Sequence, residues 1–210
     1  MHQEFFFTAS NSVYSARGKL DAWEWRWVEA EIPEGAQEVS GLEALERVFA
    51  GERVRKVPVG VIGPRDATEA QLKTAEAIGT RLGQIGLTMI CGGKTGVMSA
   101  AAKGCHEAGG LSVGLIPDHD WRKANPYIQL PIATGLSEAR NMIIAKSCEV
   151  LIAIGGSYGT LSEIAFGLHF SKPVIGISGA PKVDGLEFAG SVDDAMERMA
   201  GHLLNRVETS

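Results

Sequence analysis

The sequence contains the same unusual pattern twice: an apolar run, a pair of glycines, two further residues, a third glycine and a helix-forming stretch. The first copy is MICGGKTGVMSAAAKG, residues 89–104, and the second is IAIGGSYGTLSEIAFG, residues 152–167. A chain that leaves a strand and enters a helix through so tight a turn needs residues that tolerate positive φ, which favours glycine. The repeat therefore predicts two strand–turn–helix units.

Strand and helix signals alternate through most of the chain from residue 57 onward. The apolar runs at residues 57–62, 87–91, 111–116, 149–154 and 173–178 are continuous rather than alternating, which predicts strands buried on both faces of a parallel sheet. The run IQLPIAT, residues 128–134, contains a proline and is predicted to form an edge strand. Together these signals predict a doubly wound α/β fold with a Rossmann-like parallel sheet.

Two helices carry clear signals at their ends. Thr68 with Gln71 forms a predicted capping box, and Gly86 predicts the end of the same helix. Ser191 with Asp194 predicts the start of the last helix.

The first 56 residues differ in character from the rest. Trp23, Trp25 and Trp27 alternate with other residues, which predicts a strand with one aromatic face. The stretches at residues 4–10 and 11–18 are predicted to pair with it as a β-hairpin or meander, followed by a short amphipathic helix at 41–51. We therefore expect a β-rich extension at 1–56 and a nucleotide-binding domain at 57–210. The aromatic face could pack onto the main domain, form a dimer contact or cover a pocket.

Composition excludes several classes of protein. The 210 residues carry a net charge of -5, which argues against a nucleic-acid partner. No apolar run approaches the roughly 18–20 residues needed to span a membrane, and the N-terminus lacks the basic residues of a signal peptide. The three cysteines form no C-x-x-C pair, which predicts reduced thiols in a cytoplasmic protein.

The glycine loops indicate a phosphate-binding site. A helix start supplies unpaired N–H groups and the positive end of the helix dipole, and missing side chains let an anion approach the backbone. Neither loop matches a Walker A motif, whose upstream glycine would fall at Thr88, nor a G-x-G-x-x-G motif. We expect both loops to converge on one anionic group. The acids and histidine of the stretch PDHDWRK, residues 117–123, are too close in sequence to predict a metal site.

Two charged residues complete the predicted site. Glu163 is expected in the first turn of the helix after Thr160, and strand-end geometry could bring Arg140 to the same pocket. Lys94 and Arg65 lie at strand ends on the same side of the sheet and could also reach the ligand. The full set of candidate ligand-binding residues is Gly63, Arg65, Gly92, Gly93, Lys94, Thr95, Gly96, Asn141, Gly155, Gly156, Ser157, Tyr158, Gly159 and Thr160.

These motifs resemble those of the LOG (Lonely Guy) family. GGSYGTLSE is similar to its signature PGGxGTxxE, GGKTGVM is similar to its first glycine loop, and Arg140 keeps the spacing of the family's catalytic arginine from its glutamate. The resemblance implies hydrolysis of the N-glycosidic bond of a nucleoside 5′-monophosphate to base and ribose 5-phosphate. Arg140 and Glu163 would be the catalytic residues, Gly156, Gly159 and Thr160 would hold the phosphate, and no cofactor would be required.

The sequence departs from the LOG pattern at three places. LSEARN replaces MHxRK, so that Asn141 stands where LOG has lysine; no proline precedes the glycine pair; and Ser162 replaces the first of two adjacent glutamates. This pattern is closer to the DprA-related branch that includes molybdenum cofactor carrier proteins. That branch implies the alternative, a non-catalytic carrier of the molybdenum cofactor or a related pterin phosphate. By analogy we expect a homodimer or larger homo-oligomer, a small phosphorylated ligand and neither nucleic acid nor membrane as a partner.

Overall fold

The computed structural model describes residues 4–8, 12–206 and 208–209, the last two without their side chains. The chain folds into two compact units: residues 57–195 form one, and the segments on either side of it form the other. In the described part of the chain, no helix is long and apolar enough to cross a membrane.

The smaller unit contains a largely antiparallel sheet and a helix. Its strands lie in the order β13-β4-β3-β2-β1-β5, with β13 parallel to β4 and the other pairs antiparallel, which confirms the predicted β-meander. Residues 9–11, between β1 and β2, lie outside the described residues. The elements are β1 (Phe5–Phe7), β2 (Val13–Ser15), β3 (Gly18–Asp21), β4 (Arg26–Val28), β5 (Gln37–Val39), α1 (Gly41–Phe49) and β13 (Glu208–Thr209).

The predicted strand with three tryptophans on one face is wrong. The carboxylate of Asp21 accepts hydrogen bonds from the backbone N–H groups of Trp23 and Glu24, both at 3.0 Å, and this closes a turn after β3. Trp25 follows in the left-handed region at φ 53. Only Trp27 lies on a strand, fully buried and stacked on Phe5. A local side-chain hydrogen bond therefore overrides the period-two pattern.

The larger unit is built on a seven-stranded parallel sheet in the order β12-β11-β10-β6-β7-β8-β9. This confirms the doubly wound α/β fold, with the proline-containing strand at one edge as predicted. The sequence gives no signal for the two-residue strand at the other edge. Its elements are β6 (Pro58–Ile62), α2 (Glu69–Ile85), β7 (Thr88–Cys91), α3 (Val97–Glu107), β8 (Leu111–Ile116), β9 (Leu130–Ala133), α4 (Arg140–Ser147), β10 (Val150–Ile154), α5 (Tyr158–His169), β11 (Val174–Ile177) and β12 (Glu187–Phe188), with short 3₁₀ helices at Trp121–Lys123 and Ser137–Ala139. Helix α6 (Val192–Asn205) begins at the end of this unit and continues into the smaller one.

The strand order reverses direction between β6 and β10. From β6 the chain runs outward through β7, β8 and β9, then crosses to β10 and continues through β11 to β12. The loops that follow β6 and β10 therefore diverge to opposite faces and leave a crevice at the carboxyl edge of the sheet. Ligands of such sheets bind at this switch point.

Both predicted capping patterns are present. Thr68 and Gln71 form the reciprocal capping box of α2, and Gly86 ends that helix in the left-handed conformation at φ 88. At the start of α6 the N–H of Asp194 donates to Ser191 Oγ at 3.1 Å.

Helices α2 and α3 pack closely through glycines. A Cβ on Gly79 of α2 would overlap the backbone carbonyl of Ala101, and one on Gly104 of α3 would overlap the carbonyl of Glu76. Because backbone atoms cannot rotate away as a side chain can, added volume must force the two helices apart.

We expect Gly79→Ala to lower the free energy of unfolding by about 1–3 kcal/mol, since an added methyl group would separate α2 from α3. Urea denaturation of the variant and the wild type measures the change. Gly201→Ala is the matched control, because Gly201 lies within α6 and a Cβ there meets no heavy atom within 4 Å. It should leave stability unchanged or raise it by up to about 1 kcal/mol. Equal stabilities for the wild type and the Gly79 variant would contradict the packing argument.

Candidate ligand-binding site

A cavity of about 390 Å³ lies at the switch point between β6 and β10. Its wall combines the loop after β6, the start of α4 and the glycine loop that opens α5. The volume falls within the range of small-molecule sites. The lining residues are Gly63, Pro64, Arg65, Asp66, Met98, Pro117, Ser137, Glu138, Arg140, Asn141, Gly156, Ser157, Gly159, Thr160 and Glu163.

The second glycine loop presents the start of α5 to this cavity. Ser157 is the N-cap, and its Oγ accepts a hydrogen bond from the N–H of Thr160 at 3.2 Å. Gly159 lies in the first turn, where a Cβ would meet only Ser157 Oγ at 3.7 Å, an ordinary contact. The fold therefore does not require glycine at position 159, whereas an anion close to the helix N-terminus would need the space that glycine leaves.

Helix α5 begins two residues before Thr160, so that Glu163 lies in its second turn and not in the first as predicted. The reason is that Ser157, rather than a later residue, caps the helix. At this position Glu163 is a buried residue.

Arg140 and Glu163 form a buried ion pair at this cavity. Arg140 Nη1 donates to Glu163 Oε1 at 3.1 Å, and each side chain is 7% exposed. The Nε of Arg140 is buried without a hydrogen-bond partner in the described part of the chain. Since buried polar groups are nearly always satisfied, an unsatisfied donor on the guanidinium is an exception that a binding role for Arg140 would explain.

Asn141 joins this ion pair to the start of α5. Its Oδ1 accepts from Arg140 Nη1 at 2.6 Å, while its Nδ2 donates to Ser162 Oγ at 2.9 Å. Asn141 and Ser162 occupy two positions at which the sequence departs from the LOG pattern, and they contact each other. A neutral hydrogen-bonded pair thus stands where the LOG pattern has a lysine and a glutamate.

The protonation of Glu163 is strongly affected by its surroundings. Burial raises the pKa of Glu163 to about 7, and the charge and hydrogen bond of Arg140 oppose the rise. Near neutral pH the carboxyl is therefore only partly ionised, and the charge of Arg140 is only partly offset.

The first glycine loop does not line this cavity, although it has the same pattern as the second. The first N–H group of α3 is not available to a ligand, because the N–H of Val97 donates to the carbonyl of Pro64 at 3.1 Å. Gly96, at φ 68, lies so close to the carbonyls of Pro64 and Arg65 that a Cβ would overlap them. A Cβ on Gly92 would collide with the guanidinium of Arg140. This loop holds the wall of the cavity in place, and the convergence of both loops on one anionic group stays a prediction.

Several of the predicted residues do not line the main cavity: Gly93, Lys94, Thr95, Gly155 and Tyr158. Lys94 lines a second cavity, where its Nζ donates to Asp118 Oδ2 at 2.8 Å and so holds the pKa of that carboxyl below its usual range. Gly93 and Gly155 are buried, whereas Thr95 is exposed and Tyr158 is 94% exposed. Gly63 and Arg65 line the main cavity as predicted, but the roles of all these residues stay predictions. Sequence reasoning did not select the other lining residues, Pro64, Asp66, Met98, Pro117, Ser137 and Glu138.

The cysteines do not contribute reactive thiols. Cys91, beside the first glycine loop, is fully buried, and burial raises its pKa to about 12. Among the described residues, no group of three or more His, Cys, Asp and Glu side chains could hold a metal ion.

We expect the stability difference between the wild type and Glu163→Gln to depend on pH. The folded protein binds the Glu163 proton more tightly than the unfolded chain, with a pKa of about 7 against the ordinary 4.5. Wild-type stability should therefore fall relative to the variant as pH rises from about 4.5 to about 7, by up to about 3 kcal/mol, and then level off. Urea unfolding across this range measures the effect, and parallel pH profiles would show that the pKa is not raised.

Comparison with known proteins places these features in a family. The molybdenum cofactor binding protein from the phototrophic bacterium Rippkaea orientalis is 33% identical, with a TM-score of 0.66, over 69% of this chain and 96% of that one. The molybdenum cofactor carrier protein from Chlamydomonas reinhardtii is 34% identical, also with a TM-score of 0.66, over 71% and 99%. An uncharacterized protein from Archaeoglobus fulgidus is 35% identical over 146 residues, which is 68% of this chain and 94% of the relative. The model of the SLOG cluster4 family matches residues 56–204, and the chain therefore belongs to the SLOG cluster4 family.

Proposed function

We propose that this protein binds the molybdenum cofactor, or a related pterin phosphate, in the cavity at the switch point. The ligand's phosphate would lie at the start of α5, against residues 156–160, with Arg140 beside it. The similarity to two proteins described as binding or carrying this cofactor, over nearly their whole length, supports the proposal. The resemblance to LOG rests on the motifs alone.

The observation that carries the proposal is the combination of an open helix N-terminus and a buried cation on one cavity. The first turn of α5 has a glycine at position 159 that the fold does not require. Arg140, buried in the same wall, has a donor atom without a partner in the described part of the chain. A phosphate supplies acceptors for both the backbone N–H groups and the guanidinium.

The residues present fit such a ligand. Polar and charged side chains provide most of the lining of this cavity of about 390 Å³, and Met98 and two prolines are its apolar side chains. Such a lining can accept the polar ring edge and the anionic tail of a pterin phosphate through hydrogen bonds. The phosphate would be held by protein groups, and the molybdenum would travel as part of the cargo.

Hydrolysis of a nucleoside 5′-monophosphate is the second candidate, because Glu163 lies on the same cavity as the phosphate site. A carboxylate there could stabilise the positive charge that develops on the ribose. However, Arg140 already offsets the negative charge of this carboxylate at a distance of 3.1 Å. Burial also keeps the carboxyl partly protonated near pH 7. Ser162, rather than a second glutamate, adjoins it. These features favour holding a ligand over cleaving it.

The expectations of a homo-oligomer, of a cytoplasmic location and of no nucleic-acid partner stay predictions.

We expect the purified protein to bind molybdopterin tightly and to release no ribose 5-phosphate from a panel of nucleoside 5′-monophosphates. Bound pterin is measured by its fluorescence after oxidation, and ribose 5-phosphate by a coupled assay. Arg140→Lys keeps the charge but loses the bidentate donors, and should weaken pterin binding about tenfold or more. Turnover of a nucleoside monophosphate that Glu163→Gln abolishes, together with no pterin binding, would establish the hydrolase instead.

We expect Gly159→Ala to weaken binding of phosphorylated ligands at least about tenfold, while the fold stays intact. The added methyl group would occupy the space next to the helix N-terminus, yet alanine in the first turn of a helix should leave stability unchanged or raise it by up to about 1 kcal/mol. Isothermal titration calorimetry measures the affinity, and thermal unfolding measures the stability. Wild-type affinity in this variant would place the phosphate elsewhere.

A further inference from the structure

The main cavity continues into a second one at the carboxyl end of β8. The second cavity is lined by Lys94, Asp118 and His119 together with four residues that also line the first: Arg65, Pro117, Ser137 and Glu138. From the α5 loop, Gly156, Ser157, Gly159 and Thr160 line the first cavity and not this second one. A ligand that extends from the α5 loop toward the second cavity therefore meets Glu138 at the junction.

The carboxylate of Glu138 is available to a ligand. It is exposed, and within the described residues it makes neither a hydrogen bond nor an ion pair. The acids of the neighbouring loop differ, because Asp118 is bound by Lys94 and Asp120 accepts from Arg122. Glu138 therefore presents two unused acceptor oxygens to the junction.

The turn that carries Glu138 is held in a strained conformation. Ser137 has φ 48, in the left-handed region that a residue with a side chain seldom adopts, and its N–H donates to the carbonyl of Pro117 at 3.1 Å. The N–H of Leu136 donates to Thr134 Oγ1 at 3.3 Å. Strained residues persist where the surrounding contacts over-determine them, and they concentrate at ligand sites. Here the hydrogen bond to Pro117, the residue after β8, holds the turn against the end of that strand.

We propose that Glu138 selects a heterocycle with a 2-amino-4-oxopyrimidine edge, the edge shared by pterins and guanine. This edge presents a ring N–H beside an amino group, and one carboxylate accepts from both in a bidentate arrangement. Adenine presents a ring acceptor beside its amino group, and hypoxanthine has the ring N–H without the amino group. Both bases therefore leave one carboxylate oxygen without a donor, and the site should bind them less tightly than guanine or a pterin.

This inference rests on the proposed function, because the phosphate must be held at the α5 loop for the heterocycle to reach Glu138. Arg140 lies on the same cavity as Glu138, and its buried Nε has no hydrogen-bond partner among the described residues, so that it would define the anion-binding part of the cavity. An elongated ligand with an anionic tail and N–H donors on its ring matches both groups.

Titration calorimetry with GMP, IMP and guanosine on the full-length protein tests the selection. GMP should bind at least about tenfold more tightly than IMP, which differs only in the missing amino group. Glu138→Gln should reduce this ratio to about one, since its amide presents a donor to the ligand's donors. Glu107→Gln, an exposed acid at the far end of α3, is the matched control and should keep the ratio. The affinity for a phosphorylated pterin, neopterin monophosphate, is measured in the same way. Its ratio to the affinity for GMP shows whether the site prefers a pterin or guanine.

The outcomes separate the inference from the proposed function. Equal affinities for GMP and IMP, both well above that for guanosine, would overturn the role of Glu138 and leave the phosphate site standing. Equal affinities for GMP and guanosine, or no binding of GMP and neopterin monophosphate, would overturn both. A GMP preference that survives in Glu138→Gln would assign the selection to another residue and overturn the inference.

Discussion

The buried ion pair between Arg140 and Glu163 is the interaction on which the site depends. It joins the start of α4 to the second turn of α5, across the switch point of the sheet. Such a pair is weak evidence for stability, because desolvation of both charges offsets their attraction, whereas loss of one partner leaves the other charge buried and is strongly destabilising. The protein therefore retains the pair for what it positions. It fixes a guanidinium beside an open helix N-terminus, and these are the two groups that can hold a phosphate.

The two glycine loops show that one sequence pattern can serve two physical purposes. In the first loop the fold itself accounts for the glycines, since Gly96 meets the carbonyls of the β6 loop and Gly92 leaves room for Arg140. In the second loop Gly159 meets almost nothing. Packing within the protein accounts for the glycines of the first loop. It does not account for Gly159, and a ligand close to the helix N-terminus would. The first loop therefore leaves room for Arg140, and the second lines the cavity where we propose that the ligand binds.

The sequence predicts what depends on local or periodic signals. Continuous apolar runs predict the buried parallel strands, and the Thr68–Gln71 and Ser191–Asp194 pairs predict the starts of two helices. The sequence does not predict conformations that depend on a hydrogen bond between neighbouring residues or on a contact between distant ones. Asp21 closes a turn that interrupts the expected tryptophan strand. The carbonyl of Pro64 accepts from the first N–H of α3, at the end of the first glycine loop. Glu138 could not be selected, because an exposed acid on a loop gives no signal until the cavity beside it is known.

The arginine and glutamate of the LOG-like pattern are present in this chain, whereas the neutral pair Asn141 and Ser162 replaces two charged residues of that pattern. In this chain Asn141 accepts from Arg140 and donates to Ser162, so that it orients the guanidinium with a neutral side chain. A lysine at 141 paired with a glutamate at 162 would place two further charges within a few ångströms of Glu163 and change its protonation. With the neutral pair, Arg140 is the buried cation of the site and Glu163 its buried acid, and burial rather than a second carboxylate sets the pKa. This arrangement supports the proposal that the site holds an anion, because its buried carboxyl is already paired with Arg140.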